Sequence, residues 1–384
     1  MSKMFDRFLK NPEQASCSCG DGCCGSATAK AADGAAAAPP PPLTSEDHRW
    51  ITGSADTPAG PVPIVATGWG SGDRLGALLV RLGLRRHSYA IRPGLYGVGS
   101  PDAWSPVFVT GNYKLSFDHL RRSLAGRDGW ILALDTRGIN VWCAAGKGTF
   151  GPAELAARLA ASGLARVVSH RTLLLPQLGA PGGAAHEISK RAKFRVVYGP
   201  IRAADLPAFL DAGSKATPQM RLVRFSLKDR LVLTPVEIGM VLASKGFLLG
   251  LALWIVGRFW VKPLAFSLPA VLVAILIGAV VVPALLPWIP GRAFSLKGWL
   301  VGMLWALGFL AMRGLPAAAG GWLSAAAYLL ILPALSAFIA MGFTGSSPIT
   351  SLSGVVKEMK TAVPLMLLAV VLGAAAYIAS AFLA

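Results

Sequence analysis

Trp130-Ile-Leu-Ala-Leu-Asp-Thr136, followed after three residues by Asn140-Val-Trp-Cys-Ala-Ala-Gly-Lys147, decides the reading of this chain. The first stretch is a short apolar run and reads as a buried strand. The second leaves the C-terminal end of that strand and carries a single thiol, Cys143. No second Cys or His stands near enough in sequence to complete a local metal site. Ala144, Ala145 and Gly146 come directly after it. A thiol among such small residues suits a site that must meet something large and flat.

Working outward, Pro106-Val-Phe-Val-Thr110 predicts a strand, and Leu115–Leu124 a helix with Leu115, Leu120 and Leu124 at helical spacing. Pro152–Ala161 predicts an Ala/Leu-rich helix with Pro152 in its first turn. Arg166–Ser169 and Phe194–Tyr198 read as strands. Asp205–Asp211 reads as a short helix ending at Gly213, and Met220–Phe225 as a last strand. The fold class is α/β: a Rossmann-like domain with a parallel sheet between helices. Strand C-termini then share one edge, where ligands of such folds bind, and the Cys143 segment belongs there.

Gly68-Trp-Gly-Ser-Gly72 and Gly146-Lys-Gly-Thr-Phe-Gly151 tempt a nucleotide reading, and neither fits. Gly146-Lys147 lacks the upstream Gly of a Walker A loop, and Gly148 stands where its Ser/Thr is required. The spacing at 68–72 is not a dinucleotide fingerprint. The long stretch Leu175–Glu187 and the shorter Ile91–Gly97 read as Gly-rich loops, and such loops often touch ligands. His170 and His186 are the histidines placed near the sheet edge, as hydrogen-bonding residues ahead of metal ligands. Arg92, Lys114, Arg137 and Lys147 are candidates for the amide or phosphate groups of a large ligand, with solvent as the alternative.

The chain has 384 residues, 54% hydrophobic and only 15% charged, an apolar balance for a soluble protein. The excess is uneven. From residue 238 onward one acidic residue, Glu358, stands against eight basic ones; before that point there are 18 acidic and 29 basic residues. An α/β domain over 61–232 therefore precedes a transmembrane domain over 233–384. Five apolar spans are expected at about 238–257, 264–287, 298–312, 320–341 and 361–384, the third of them short. Glu237 and Lys245 lie in or near the first, where an ion pair or a snorkelling lysine accommodates the charge. Arg221, Arg224, Lys228 and Arg230 ahead of it favour a multi-pass protein of the cytoplasmic membrane with its soluble domain in the cytoplasm. Prolines within the spans leave a transport role open. The net charge of +18 is dispersed. No compact Lys/Arg run carries interleaved aromatics, so nucleic acid is not an expected partner.

Residues 1–60 read as a disordered tail. Ala, Gly and Pro dominate Ala31–Pro42, which ends in four prolines and reads as a partly stiff tether. Upstream, Cys17, Cys19, Cys23 and Cys24 gather four of the five cysteines among glycines. Residues 1–16 lack the apolar core of a signal peptide, so a reducing cytoplasm is expected. Such thiolates suit a soft cation: zinc, copper(I) or mercury(II). Their spacing is not that of an iron–sulfur run, and no iron–sulfur cluster is expected in this chain. Incidental thiols in a low-complexity tail are the alternative.

Asn140–Lys147 resembles the signature Asn-Val-Trp-Cys-Ala-Ala-Gly-Lys of the membrane-bound corrinoid proteins of microbial mercury methylation. The resemblance extends through Ile91-Arg-Pro-Gly-Leu-Tyr96, Asn112-Tyr-Lys-Leu-Ser-Phe-Asp118, Leu134-Asp-Thr-Arg-Gly-Ile-Asn140, Leu175-Pro-Gln-Leu-Gly-Ala-Pro-Gly182, Ala185-His-Glu187 and Met341-Gly-Phe-Thr-Gly345. It covers roughly residues 50–384. More distantly, the soluble part is similar to the corrinoid-binding domain of the corrinoid iron–sulfur protein of the acetyl-CoA pathway. The four-Cys tail departs from the family core and resembles the tail of the family's ferredoxin partner.

The resemblance implies a cobalamin whose lower face rests on Asn140, Val141, Trp142, Cys143, Ala144, Ala145, Gly146 and Lys147. It implies displacement of the dimethylbenzimidazole and Cys143 as the lower ligand of cobalt. Ala144, Ala145 and Gly146 would let the backbone approach the ring, and Trp142 would pack beneath the ring or in the core. The implied reaction is methyl transfer from methylcob(III)alamin to thiol-bound mercury(II), giving methylmercury. A thiolate trans to the methyl group favours departure of a methyl-anion equivalent, the polarity that an electrophile such as mercury(II) requires. Implied partners are a ferredoxin-like protein with two 4Fe–4S clusters, a methyltetrahydrofolate-dependent methyl donor system and the lipid bilayer. Cys17, Cys19, Cys23 and Cys24 would capture mercury(II). Two alternatives stay open: a corrinoid methyl carrier with another soft-metal or metalloid acceptor, and a membrane metal-binding or transport protein.

Overall fold

The computed structural model describes residues 49–84, 88–182, 185–260, 267–314, 319–347 and 352–383. Cys17, Cys19, Cys23 and Cys24 lie outside the described residues. The described chain divides into two compact units at Val223 and Arg224, with Arg81–Gly83 grouped with the second.

The first unit is built on a seven-stranded sheet. In chain order its strands are β1 (Ile51–Thr57), β2 (Gly60–Val65), β3 (Gly94–Val98), β4 (Val107–Gly111), β5 (Gly129–Leu134), β6 (Thr172–Leu175) and β7 (Arg195–Tyr198). Across the sheet they lie β1-β2-β3-β5-β4-β6-β7. On one side the expectation of a parallel sheet holds, since β5, β4, β6 and β7 pair in parallel. On the other side it fails. β3 runs antiparallel to β5, β2 runs parallel to β3, and β1 returns antiparallel to β2. β1 and β2 are joined by a two-residue connection, which only an antiparallel pair can use. β1 also begins inside the stretch expected as disordered tail, and β3 occupies a stretch read as loop.

The helices of this unit are α1 (Ser71–Arg81), α2 (Lys114–Ser123), α3 (Val141–Gly146), α4 (Pro152–Ser162), α5 (Leu164–Val167), α6 (Ala185–Ala192) and α7 (Leu206–Asp211). Successive side chains of β5 alternate between two cores. Trp130, Leu132 and Leu134 pack with Val141 of α3, Leu155 and Leu159 of α4 and Ile188 of α6. Ile131 and Ala133 pack on the other face with Phe117 of α2 and Leu206 and Phe209 of α7. The chain thus leaves β4 over one face to reach β5, then leaves β5 over the opposite face to reach β6 on the far side of β4. That reversal between β4 and β6 is the switch point of a doubly wound sheet, the position at which ligands of open α/β sheets bind.

Two expected strands are absent. Arg166 falls in α5, a single turn entered through Gly163 in the left-handed region (φ 61°), and the strand forms later, as β6. Within Met220–Phe225, Met220 and Arg221 close a 3-10 turn, Pro218–Arg221, which Thr217 caps by accepting from Met220 N–H.

The second unit is helical. Of the five expected spans, three are helices long and apolar enough to cross a membrane: Phe294–Arg313, Gly321–Gly342 and Gly354–Ser380. Leu227–Leu242 and Lys245–Val256 pass the same test only as a pair bent by 57°, and Leu268–Ala284 is a shorter apolar helix. The third span is 20 residues rather than the short one expected. Its extra turn contains Lys297, which reads as a loop residue in sequence. The side chain is buried because its ammonium donates to the carbonyls of Leu286 and Ile289. Lys245 is exposed at the bend, and Glu237 is buried.

Candidate functional site

Beyond Leu134 the chain makes a sharp turn. Arg137 and Gly138 both have positive φ, 57° and 69°. That region costs an arginine steric strain that glycine escapes. Hydrogen bonds hold the turn in place. Arg137 N–H donates to Asp135 Oδ1 at 2.9 Å. Thr136 N–H and Gly138 N–H each donate to Asn112 Oδ1 at 3.0 Å, and the Thr136 hydroxyl lies 2.9 Å from the same oxygen. Asn112 Nδ2 in turn donates to Asp135 Oδ1 at 3.3 Å. Asn112 is the residue after β4 and is only 5% exposed. Gly111 before it must lack a side chain, since a Cβ there would stand 2.7 Å from Thr136 Oγ1.

α3 follows at once. Asn140 is its N-cap, and its side-chain oxygen accepts from Cys143 N–H at 2.9 Å. This fixes the backbone of the thiol residue itself. Helical periodicity then sorts the side chains. Val141, Ala144 and Ala145 turn inward, Trp142 (43% exposed), Gly146 and Lys147 turn outward, and Cys143 is partly buried between them. One expectation is corrected here, and one of two open alternatives is decided. Ala144 and Ala145 fill the core against the sheet and do not clear the outer face. That clearance belongs to Gly146 and Gly148, where an added Cβ would meet nothing within 4 Å. Trp142 does not pack in the core; the period of α3 leaves it exposed.

Two other Gly-rich stretches converge on the same edge. After β6, Gln177–Gly182 forms a 3-10 turn pressed against α3. A Cβ on Gly182 would stand 2.5 Å from Ala145 Cα, and one on Gly179 would stand 2.6 Å from Phe150 Cε1. From Ala185 the chain is helical, with His186 and Glu187 exposed in the first turn of α6. Ahead of β3, Ile91 N–H donates to the Asn112 carbonyl at 2.8 Å. Asn112 therefore joins three stretches that are far apart in sequence. A single polar residue directly after an apolar strand was the available signal for it.

Other candidates lie elsewhere. His170 precedes β6 and so sits at the opposite edge of the sheet. Its Nδ1 accepts from Thr172 N–H at 3.2 Å, which leaves Nε2 as the donor to Ser105 O at 2.9 Å. Lys114 is not available to a ligand. It is 6% exposed and bridges Asp73 (2.8 Å) and Asp118 (2.6 Å). Arg121, with 0% exposure, closes that quartet by bonding to both carboxylates. Burial works to raise the Asp73 carboxyl, but the hydrogen bonds and charges of Lys114 and Arg121 together hold it below the usual carboxylate range. Arg92 is half-buried; Arg137 and Lys147 are exposed beside α3. Among the described residues, no group of three or more His, Cys, Asp or Glu is placed to hold a metal ion.

Residues 85–209 match the family model of the CO dehydrogenase/acetyl-CoA synthase delta subunit. Over 128 residues, 33% of this chain, the protein is 30% identical to the acetyl-CoA decarbonylase/synthase complex subunit gamma of Methanopyrus kandleri, covering 27% of that relative. Over 130 residues it is 32% identical to subunit gamma 2 of the same complex from Methanosarcina mazei, again 33% of this chain and 27% of the relative. A stretch of 98 residues, 25% of this chain, is 35% identical to 20% of the Methanocaldococcus jannaschii gamma subunit. The chain thus spans about a quarter of the length of the curated relatives it matches. The family match runs from ahead of β3 into α7, so it contains Asn112, the Cys143 helix and the Gly182 turn, and it stops before the apolar helices. Of the two resemblances carried by the sequence motifs, the similarity lies with the acetyl-CoA one.

Proposed function

We propose that this protein is a corrinoid-dependent methyltransferase of the cytoplasmic membrane, with Cys143 as the lower ligand of cobalt and thiol-bound mercury(II) as the methyl acceptor. The observation that carries the reading is the placement of one thiol. Cys143 sits on a capped helix at the C-terminal edge of the parallel strands, partly buried, beside an outer face of Trp142, Gly146 and Gly148. A flat macrocycle needs such a face, and a polarisable sulfur suits a transition metal. Similarity over residues 85–209 to acetyl-CoA-forming subunits supports a corrinoid domain. The Asn140–Lys147 signature together with the apolar helices supports mercury(II) as acceptor.

Cobalamin would supply the cobalt–carbon chemistry of methyl transfer, and Cys143 is the residue that would hold the cobalt through its thiolate. The chain's own residues do the rest. Asn140 and the Asn112 turn fix the height of the thiol. Gly146 and Gly148 leave room for the ring to approach, and Trp142 offers an indole face beside it. Arg137 and Lys147 are exposed where peripheral amide or phosphate groups would lie. Cys143 must lose its proton to bind a metal, so ligation releases one proton and strengthens as pH rises.

The five apolar segments hold the protein in the bilayer, with the bent pair and the shorter helix counted as spans and the α/β unit in the cytoplasm. A ferredoxin-like protein with two 4Fe–4S clusters serves as reductant, and a methyltetrahydrofolate-dependent system supplies methyl groups. Cys17, Cys19, Cys23 and Cys24 capture mercury(II) for delivery. The test is the full chain in lipid nanodiscs with methylcobalamin and a mercury(II)–thiol complex. Cys143→Ala should reduce methylmercury formation to the level without protein; undiminished formation would overturn the reading. One observation favours a methyl carrier with another acceptor: the matched relatives are subunits of acetyl-CoA complexes. Product analysis with several soft-metal and metalloid acceptors separates the two.

A further inference from the structure

The turn between β5 and α3 is strained at Arg137. It is tied internally between Leu134, Thr136 and Ile139, and Glu154 accepts from Asp135 N–H at 2.8 Å, but the side chain that reaches across it from the end of another strand is Asn112. Asn112 Oδ1 receives the backbone N–H groups of Thr136 and Gly138 and lies within hydrogen-bond distance of the Thr136 hydroxyl. Asn112 Nδ2 reaches Asp135, whose same oxygen accepts from Arg137 N–H. The carboxamide is buried at the end of β4, beside the switch point of the sheet, and its backbone carbonyl ties down Ile91. Two residues after Gly138 the Asn140 cap begins and sets Cys143. A left-handed arginine persists only where its surroundings over-determine it. The surroundings here are Asn112 and Asp135, together with the bonds within Leu134–Ile139 and the Glu154 carboxylate on Asp135 N–H.

We infer that Asn112 is the positioning residue of the Cys143 site. It touches neither the thiol nor a ligand, and it acts by locking the turn from which α3 departs. Its spectroscopic consequence rests on the corrinoid reading above; its effect on the turn does not. Asn112→Ala removes the acceptor shared by Thr136 and Gly138. Asn112→Asp keeps that acceptor but sets two carboxylates face to face. Asn112→Asp combined with Asp135→Asn removes the carboxylate pair and restores a donor–acceptor pairing of reversed polarity between the two side chains, while the bond from Arg137 N–H, which the same Asp135 oxygen accepts, is given up.

Two readouts on the full chain in nanodiscs test this. The first is hydrogen exchange of residues 135–147 without any corrinoid, with residues 195–198 of β7 as internal reference. Asn112→Ala should speed exchange of 135–147 about tenfold or more while β7 is unchanged, and the double variant should return it toward wild type. The second is the absorption spectrum after reconstitution with cobalamin. Asn112→Ala should still bind the cofactor but lose sulfur coordination by on the order of tenfold, as loss of a supporting hydrogen bond at a metal ligand typically does. Unchanged exchange at 135–147 in Asn112→Ala, or failure of the double variant to recover any of it, overturns the inference. If exchange responds as expected while the wild type itself shows no sulfur coordination, Asn112 keeps its role in the turn and the corrinoid reading of Cys143 falls.

Discussion

Two buried polar networks lie close together along the chain and do different work. The quartet of Asp73, Lys114, Asp118 and Arg121 is ionic and joins α1 to α2. The Asn112 network is built on a neutral carboxamide, with Asp135 as its one charged member, and holds a turn. Buried charges gain little net stability from pairing, but removing one member strands the others at high cost. A neutral carboxamide costs less to lose, and its bonds are directional. The quartet ties two helices together, and the Asn112 network holds the turn from which the Cys143 helix departs. That difference explains why Lys114, a candidate ligand contact by residue type, belongs to the scaffold, while Asn112 belongs to the site.

The largest effect expected is on the quartet. Arg121→Met leaves Asp73 and Asp118 with one cation between them and should cost about 3–5 kcal/mol, read as a shift in the denaturant midpoint of the α/β unit. The surviving folded fraction should keep the wild-type environment of Cys143, and a changed one would erase the distinction between the networks. Next is Gly182→Ala, whose Cβ would meet Ala145 and Phe150 backbone at 2.5 Å. Overpacking of this kind costs about 1–3 kcal/mol. Here the loss should appear as altered Cys143 alkylation, measured on its own peptide, because the clash pushes directly on α3. Asn140→Ala removes only the cap and should cost about 1 kcal/mol, with faster exchange of Cys143 N–H. The smallest effect is that of pH. Asp73 is held below the usual carboxylate range by its two cations. Its contribution is complete above the ordinary aspartate value of about 3.9 and is lost as pH falls through the lower folded value. Urea midpoints of the α/β unit should therefore be flat from neutral pH to about that point and decline below it, and a decline beginning near neutrality would assign the loss to other groups.

Much of the parallel half of the sheet was legible from residue type. β4, β5 and β7 are apolar runs, and α2 and α4 carry their leucines at helical spacing. β2 and β3 were hidden because Gly60-Pro-Val-Pro-Ile-Val65 and Gly94-Leu-Tyr-Gly-Val98 use residues that normally interrupt strands. Val167 and Val168 suggested a strand, but the left-handed Gly163 turns the chain into α5 before they can extend. At the site, Asn140 and Cys143 stood in the quoted stretch, and the glycines after β6 were read as a loop of the kind that touches ligands. The inward turn of Ala144 and Ala145 was not legible, because small residues serve a core and a cleared surface equally well. Lys297 hid the full length of its helix because carbonyls from outside that helix satisfy its charge, a contact that no local pattern contains.

If Cys143 holds the cobalt, the absorption spectrum of the full chain reconstituted with cobalamin should show a bound cofactor without benzimidazole coordination, carrying a sulfur-dependent spectrum that Cys143→Ala abolishes while cofactor remains bound. A wild-type spectrum that retains benzimidazole coordination, or one that Cys143→Ala leaves unchanged, would contradict that ligation.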